Sequence, residues 1–274
     1  MQINELARAK INLCLHVTGQ RDDGYHLLDS IVVFADIGDQ ITVKPSDAFA
    51  LKINGPFAHE LSSGDDNLAL QAARLFEKDC KGAVITLIKN LPVASGIGGG
   101  SADAAATLRA MVLMTGAPLP SDAGLSLGAD VPVCLQSIPC RMKGIGDCIT
   151  PLTDFPNLWA VLVCPKIKIA TPDVFVSLET KDNTPIGQMT DQESIGEFLR
   201  RQRNDLEKPS IGLAKETSVC LDQITRQGAY LARMSGSGAT CFGLFETRQA
   251  SEKAAQTLVD SNPDWWIKPC VLGN

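Results

Sequence analysis

Four glycines in five positions, Gly96-Ile97-Gly98-Gly99-Gly100, followed by Ser101, stand between a β-branched run and a stretch of strong helix formers. The run is Val84 to Ile88; the helix extends from Ser101 to about Met114 and is stopped by Gly116 and Pro118. Such a segment folds as a loop feeding a helix N-terminus. Without Cβ atoms its backbone N–H groups can approach an anion closely, and the helix start adds free donors and partial positive charge. Ser101 adds a hydroxyl suited to a phosphate oxygen or a metal-bound water. The pattern predicts a phosphate cradle, with a tight turn or plain linker as the alternative. It is neither of two common cradles. The chain has no Gly-Lys pair, which a P-loop needs, and Ser101 stands where a dinucleotide fingerprint needs its third Gly.

Upstream, Ala7 to Val17 alternates. Ala9, Ile11, Leu13 and Leu15 share one face, and Arg8, Lys10, Asn12 and His16 the other, which predicts a half-buried strand. Further strands are expected over Ser30–Phe34, Gln40–Lys44 and Phe49–Ile53. Asp66-Asn67 predicts a cap for a helix from Leu68 to about Asp79. Ser121 to Gly128 reads as a short helix and Val131 to Leu135 as a strand. Beyond Pro151 the expected elements are strands at Trp159–Cys164, Leu231–Ser235 and Thr240–Phe245, and helices at Ile195–Arg201, Ile211–Thr225 and Ala250–Val259. Leu178 to Glu193 is polar and unpatterned, hence loop. The change of texture predicts two domains, 1–150 and 151–274.

Composition narrows the function. Lys and Arg number 25 against 31 Asp and Glu, a formal charge of −6, which disfavours general nucleic-acid binding. No apolar run approaches the ~20 residues of a membrane span, and Met1 to Glu5 lacks the character of a signal peptide. The nine Cys (14, 80, 134, 140, 148, 164, 220, 241 and 270) contain no C-x-x-C pair. They read as reduced thiols in a cytoplasmic protein rather than as a zinc or disulfide framework.

Single residues are ambiguous when read alone. Lys10 on a polar strand face is ordinarily solvated, but with Asn12 two residues on it could bind a hydroxyl and a phosphoryl oxygen together. Asp130 is a turn or cap residue, or a base. Tyr25 and His26 follow a Gly turn; a Tyr face can stack on a pyrimidine while His reads its polar edge. Phe175 is a core residue or a second cover for that base. Gly236-Ser237-Gly238 is a β-turn or a second close-approach loop at the phosphates.

The segment Leu91-Pro92-Val93-Ala94-Ser95-Gly96-Ile97-Gly98-Gly99-Gly100-Ser101-Ala102-Asp103-Ala104-Ala105 resembles the ATP loop of the galactokinase–homoserine kinase–mevalonate kinase (GHMP) superfamily. Other segments are similar, in the expected order, to members acting on a cytidine-diphosphate-linked methylerythritol. They are Ala9-Lys10-Ile11-Asn12-Leu13, Gly19-Gln20-Arg21-Asp22-Asp23-Gly24-Tyr25-His26 and Gly128-Ala129-Asp130-Val131-Pro132-Val133. Thr171-Pro172 with Phe175, Asn204-Asp205-Leu206-Glu207 and Met234-Ser235-Gly236-Ser237-Gly238-Ala239 continue the series.

The resemblance implies a two-domain α/β (α+β) fold, strand-rich and ATP-binding in its N-terminal part. It implies ATP with Mg²⁺, and phosphorylation of a hydroxyl on a small cytidine diphosphate substrate in non-mevalonate isoprenoid precursor synthesis, without a nucleic-acid or membrane partner. It assigns ATP to Pro92, Val93, Ala94, Ser95, Gly96, Ile97, Gly98, Gly99, Gly100, Ser101 and Ala102. Catalysis falls to Lys10 and Asp130, and substrate binding to Asn12, Tyr25, His26 and Phe175. Metal ligands are not implied. Three stretches depart from the commoner pattern. Val93-Ala94-Ser95 replaces a Met and small residues, which leaves the glycine loop workable. Ala102-Asp103 replaces a Ser-Asn pair, placing negative charge near the phosphates, and Arg141 to Asp147 replaces a segment usually carrying Phe-Ala and Glu. The alternatives are another small-alcohol kinase of the superfamily, acting on homoserine, mevalonate or a sugar, and a non-catalytic nucleotide-binding regulator.

Overall fold

The computed structural model describes residues 2–190 and 192–273; Met1, Asp191 and Asn274 lie outside the described residues. Two long strands open the chain, β1 (Ile3–Gln20) and β2 (His26–Pro45), and they pair with each other. Both are longer than their apolar cores predict, and β2 joins what reads as two separate runs.

The chain forms two compact units. The first holds the chain up to Lys10, Ile37–Val93 and Gly98–Ser137; the second holds Ile11–Asp36, Ala94–Ile97 and the chain from Ile138 onward. This differs from two consecutive stretches divided at residue 150, because β1 and β2 each contribute residues to both units. A change of composition along a sequence does not register that sharing.

In the first unit, β3 (Ala50–Asn54), α1 (Leu68–Arg74) and β4 (Ala83–Ile88) lead to the glycine loop, α2 (Gly99–Thr115) and α3 (Val131–Gln136). β4 runs antiparallel to the end of β2, from Gln40↔Ile88 to Pro45↔Ala83, and parallel to β3. The Asn67 side chain caps α1 by accepting from the Ala69 N–H, as expected, but the helix stops at Arg74. α2 buries Ala102, Ala104, Ala105, Ala106, Leu108, Ala110 and Met111; its small residues let α1 and α3 pack closely against it. Val131 to Leu135 is helix rather than strand. Pro132 pre-sets the first-turn dihedral and lacks only an N–H that needs no helical partner. Ser121 to Gly128 makes turns and a single 3₁₀ turn, because Gly124 at φ +80° breaks it.

The second unit continues with β5 (Cys140–Gly144), β6 (Cys148–Pro151), β7 (Leu158–Cys164), α4 (Thr171–Val176), α5 (Ile195–Arg200) and α6 (Glu207–Leu213). It ends with α7 (Glu216–Arg226), β8 (Leu231–Met234), β9 (Cys241–Phe245), α8 (Arg248–Ser261) and β10 (Trp266–Gly273). The first part of β2, then β10, β7, β9 and β8 lie side by side in antiparallel pairs, and β5 joins β2 on its own. The core gathers Leu15, Val161, Val163, Ile224, Met234, Phe245, Leu258 and Ile267. The sequence missed β5, β6, α4 and β10. β10 carries Lys268 and Pro269 in mid-strand and buries Cys270 and Leu272 only by pairing with β7 over Trp266↔Cys164 to Leu272↔Leu158. The expected helix over Ile211–Thr225 is two, separated where Ala214 takes an extended backbone. The polar tract has neither helix nor strand over 178–190.

One buried cation holds the second unit's loops. Arg233 on β8 is 6% exposed and donates to the carbonyls of Leu13 (2.7 Å), Leu199 (3.0 Å) and Gln202 (2.7 Å). Arg233→Met would leave all three carbonyls without that donor in apolar surroundings. Urea unfolding should show a loss of roughly 3 kcal/mol or more; a loss under about 1 kcal/mol would show that water replaces the guanidinium.

Candidate functional site

Within the first unit the structure joins three of the predicted features. Lys10, only 4% exposed, places its Nζ 3.0 Å from Asp130 Oδ2. Asp130 occupies the N-cap position of α3 but makes no side-chain cap hydrogen bond; its carboxylate is turned to Lys10 and is 36% exposed. Gly98 is the N-cap of α2 at φ +64°, and a Cβ there would stand 3.1 Å from Lys10 Cε and 3.2 Å from Lys10 Cβ. The lysine stem therefore lies along the bare glycine backbone. Ser101 Oγ lies 3.9 Å from where a Cβ on Gly128 would be, two residues before Asp130. An ammonium, a carboxylate and the N-terminus of a 17-residue helix thus meet at one place. That set can hold a polyanion, take a proton and neutralise developing charge.

Asp103 does not lie open beside the phosphate loop. It is buried on α2 and its Oδ2 is 2.6 Å from Lys89 Nζ, which is also 2.6 Å from Asp39 Oδ2. It shares the single Lys89 ammonium with Asp39 inside the unit. Neither Asp39, within β2, nor Lys89, directly after β4, was marked by the sequence.

The glycine loop is divided between the units. Pro92, Val93 and Gly98 to Ala102 belong to the first, and Ala94, Ser95, Gly96 and Ile97 to the second. Gly96, at φ +77°, packs on the Ser235–Gly238 turn: a Cβ there would be 2.5 Å from the Ser235 carbonyl oxygen and 2.7 Å from the Gly238 nitrogen. Ser235 Oγ donates to the Gly96 carbonyl (3.1 Å), and Thr240 N–H to the Ser95 carbonyl (3.0 Å). Gly236-Ser237-Gly238 is thus a close-approach loop toward backbone.

Asn12, in the second unit, is buried rather than displayed. Its N–H donates to Ser235 Oγ (3.1 Å) and its Nδ2 to Ser30 Oγ (2.8 Å), while Ser30 Oγ donates to the Cys14 carbonyl. Ser30 carried no signal beyond its polarity, and Ser235 only its place in the Met234-to-Ala239 segment.

His26 and Phe175 stack, with ring centroids 4.7 Å apart and planes at 22°. Phe175 therefore covers one face of His26. Tyr25 is 61% exposed, which rules out a packed tyrosine. His26 Nε2 is buried and has no hydrogen-bond partner. Burial, then the nearby Lys181, push the His26 pKa down, so the ring is neutral at pH 7, with one donor and one acceptor nitrogen. Arg141 forms a bidentate pair with Asp29 (2.8 and 2.7 Å) and donates to the Ile186 carbonyl. It pins the polar tract to β2 and β5; Met142 to Gly144 of that divergent stretch continue β5, and Ile145 to Asp147 turn the chain into β6.

Two family models match: the GHMP kinases N terminal domain over residues 67–151, and the GHMP kinases C terminal over residues 186–264. A 4-diphosphocytidyl-2-C-methyl-D-erythritol kinase of Cereibacter sphaeroides is 52% identical over 274 residues, covering 97% of this chain and 98% of the relative. One of Rhizobium etli is 45% identical, over 97% and 93%. The crystal structure of a 4-(cytidine 5'-diphospho)-2C-methyl-D-erythritol kinase superposes with a TM-score of 0.83 at 32% identity, over 99% of this chain and 100% of the other. A homoserine kinase from Cytophaga hutchinsonii shares the fold, with a TM-score of 0.68 at 17% identity over 98% and 94%.

The two ends of the loop should respond differently to a methyl group. Gly96→Ala meets both a left-handed φ and a backbone oxygen, and should cost about 2–4 kcal/mol in urea unfolding. Gly100→Ala meets only Leu68 Cδ1, at 3.7 Å, in a helical position. It should be neutral or stabilising by up to about 1 kcal/mol. Equal costs at both positions would contradict the packing described for Gly96.

Proposed function

The chain belongs to the GHMP kinase family, and we propose that it transfers the γ-phosphoryl group of ATP to the 2-hydroxyl of 4-diphosphocytidyl-2-C-methyl-D-erythritol. The observation that carries the proposal is the Lys10–Asp130 pair, 3.0 Å apart, with Lys10 lying along Gly98 at the start of α2. The relatives' shared activity and the cytidine-suited residues of the second unit support the choice of substrate.

Asp130 accepts the proton of the attacking hydroxyl. The hydroxyl oxygen forms a bond to the γ-phosphorus, the bond from that phosphorus to the bridging oxygen breaks, and ADP departs. Lys10 orients Asp130 and offsets the negative charge that gathers on the moving phosphoryl group. Backbone N–H groups at Gly98 to Ser101 hold the phosphates. No group of three His, Cys, Asp or Glu among the described residues is placed to hold a metal ion. Mg²⁺ carried on the ATP phosphates would need few protein oxygens and would supply neutralisation of phosphate charge, with Ser101 as the hydroxyl that would meet its bound water.

Tyr25 offers its exposed face to the cytosine ring. His26, stacked on Phe175, lies next to Tyr25 in the chain and reads the polar edge of the base. Asn12, fixed by Ser30 and Ser235, sets the shape of the strand behind them. The product belongs to non-mevalonate isoprenoid precursor synthesis, in the cytoplasm. No described helix is long and apolar enough to cross a membrane.

The test is a coupled ADP-release assay with the cytidine substrate, and with homoserine, mevalonate and galactose as controls. Turnover should require the cytidine substrate; turnover on a control points to another small-alcohol kinase, and ATP binding without turnover to a regulator. Tyr25→Ala should raise the KM for the cytidine substrate by the equivalent of about 1–3 kcal/mol and leave the ATP KM nearly unchanged. An equal loss with an analogue lacking the base would contradict stacking.

A further inference from the structure

Asp39, Lys89 and Asp103 are 0%, 1% and 3% exposed and form a closed group of charges in the first unit. Their geometry is that of a clasp. Asp39 Oδ1 accepts from the N–H groups of Asn90 (2.6 Å) and Leu91 (2.8 Å), where the chain enters the glycine loop. Asp103 stands on α2, just after the loop. Lys89 Nζ donates to both, to Asp39 Oδ2 and to Asp103 Oδ2 at 2.6 Å each, and so ties the loop's entry to its exit. Gly99 lies directly over the lysine: a Cβ there would be 3.2 Å from Lys89 Nζ.

Stability alone does not account for Asp103. Asp39 already balances the charge of Lys89, and Asp103 adds a second buried carboxylate whose Oδ1 is buried without a hydrogen-bond partner. An unmatched buried carboxylate oxygen opposes folding. Burial pushes the Asp103 carboxyl well above its ordinary range, with Lys89 opposing that rise. A group that works against the fold, at the exit of a ligand loop, is the kind of local conflict that function explains.

We infer that Asp103 is a positioning residue for the nucleotide: through Lys89 and Asp39 it fixes the distance between the loop's entry and the first turns of α2, and with it the directions of the N–H groups from Gly98 to Ser101. Asp103 itself touches no phosphate. A glycine-rich loop has many conformations to lose, and a clasp that removes them beforehand lowers the cost of binding. The inference rests on the reading that this loop binds ATP.

The test measures binding of Mg²⁺ with the β,γ-imido analogue of ATP to the full chain by calorimetry, alongside urea unfolding of the same variants. Asp103→Ala leaves the Lys89–Asp39 pair charge-balanced and releases the exit. Its Kd should rise about tenfold or more while the unfolding midpoint stays level or increases. Asp103→Asn keeps the shape and an oxygen acceptor for Lys89, and should restore the Kd to within about threefold of the original. Should Asp103→Ala fail to fold, Asp103→Glu, which keeps the charge and lengthens the link, should raise the Kd by itself. An original Kd in a folded Asp103→Ala chain, or in Asp103→Glu, overturns the inference, as does a lower midpoint with unchanged Kd. Calorimetry needs no cytidine substrate. An unaltered chain that binds the analogue but does not phosphorylate the cytidine substrate would overturn the proposed function and leave the clasp separately decided. An unaltered chain that binds no nucleotide would overturn both.

Discussion

Strand β1 buries both of its faces. Ala9, Ile11, Leu13 and Leu15 fill one face, as alternation demands; on the other, Lys10, Asn12 and His16 are 4%, 1% and 1% exposed. A buried polar face is stable only if each group finds a partner. Each does, far along the chain. Lys10 reaches Asp130, Asn12 reaches Ser30 and Ser235, and His16 uses Nδ1 on the Thr184 carbonyl, with Nε2 accepting from the Arg203 N–H. The last pair of bonds suits a neutral ring, and burial lowers the His16 pKa in the same sense. Within the first unit the strand holds α3's N-cap through Lys10, and within the second it holds the Ser235 turn through Asn12 and the Thr184 backbone through His16.

Two buried lysines show how the same side chain is put to different uses. Lys89 is enclosed by carboxylates whose side chains are 0% and 4% exposed, and it serves the architecture of the loop. Lys10 is as deeply placed, but its partner Asp130 is 36% exposed. An exposed carboxylate can meet a substrate hydroxyl, whereas an enclosed one cannot. The exposure of the partner, not of the lysine, separates the pair proposed to react from the enclosed one.

Much of this was legible in the residues. The glycine loop announced itself because glycine is favoured where φ is positive and the backbone must be approached closely, and Gly96 and Gly98 are both left-handed. The catalytic roles proposed for Lys10 and Asp130 rest on resemblance, and the structure shows the two paired although spacing alone could not bring residues 120 positions apart together. What was not legible depends on tertiary contacts. Val131 to Leu135 has strand-like composition, and only Pro132 hinted at a helix start. Trp266 to Gly273 becomes a strand by pairing with β7. Asp103 looked like a charge facing the phosphates because nothing near it in sequence reveals Lys89 beneath the loop.

The central claim is that Lys10 and Asp130 act as one phosphoryl-transfer unit, and a double-mutant cycle on kcat tests it most directly. Asp130→Asn keeps the shape and removes the base, and should lower kcat by roughly 10²–10⁴. Lys10→Ala should also lower it strongly. Because the two share one step, the double variant should be far less impaired than the product of the single effects. Multiplicative effects, or near-normal kcat in a folded Asp130→Asn chain, would contradict the account.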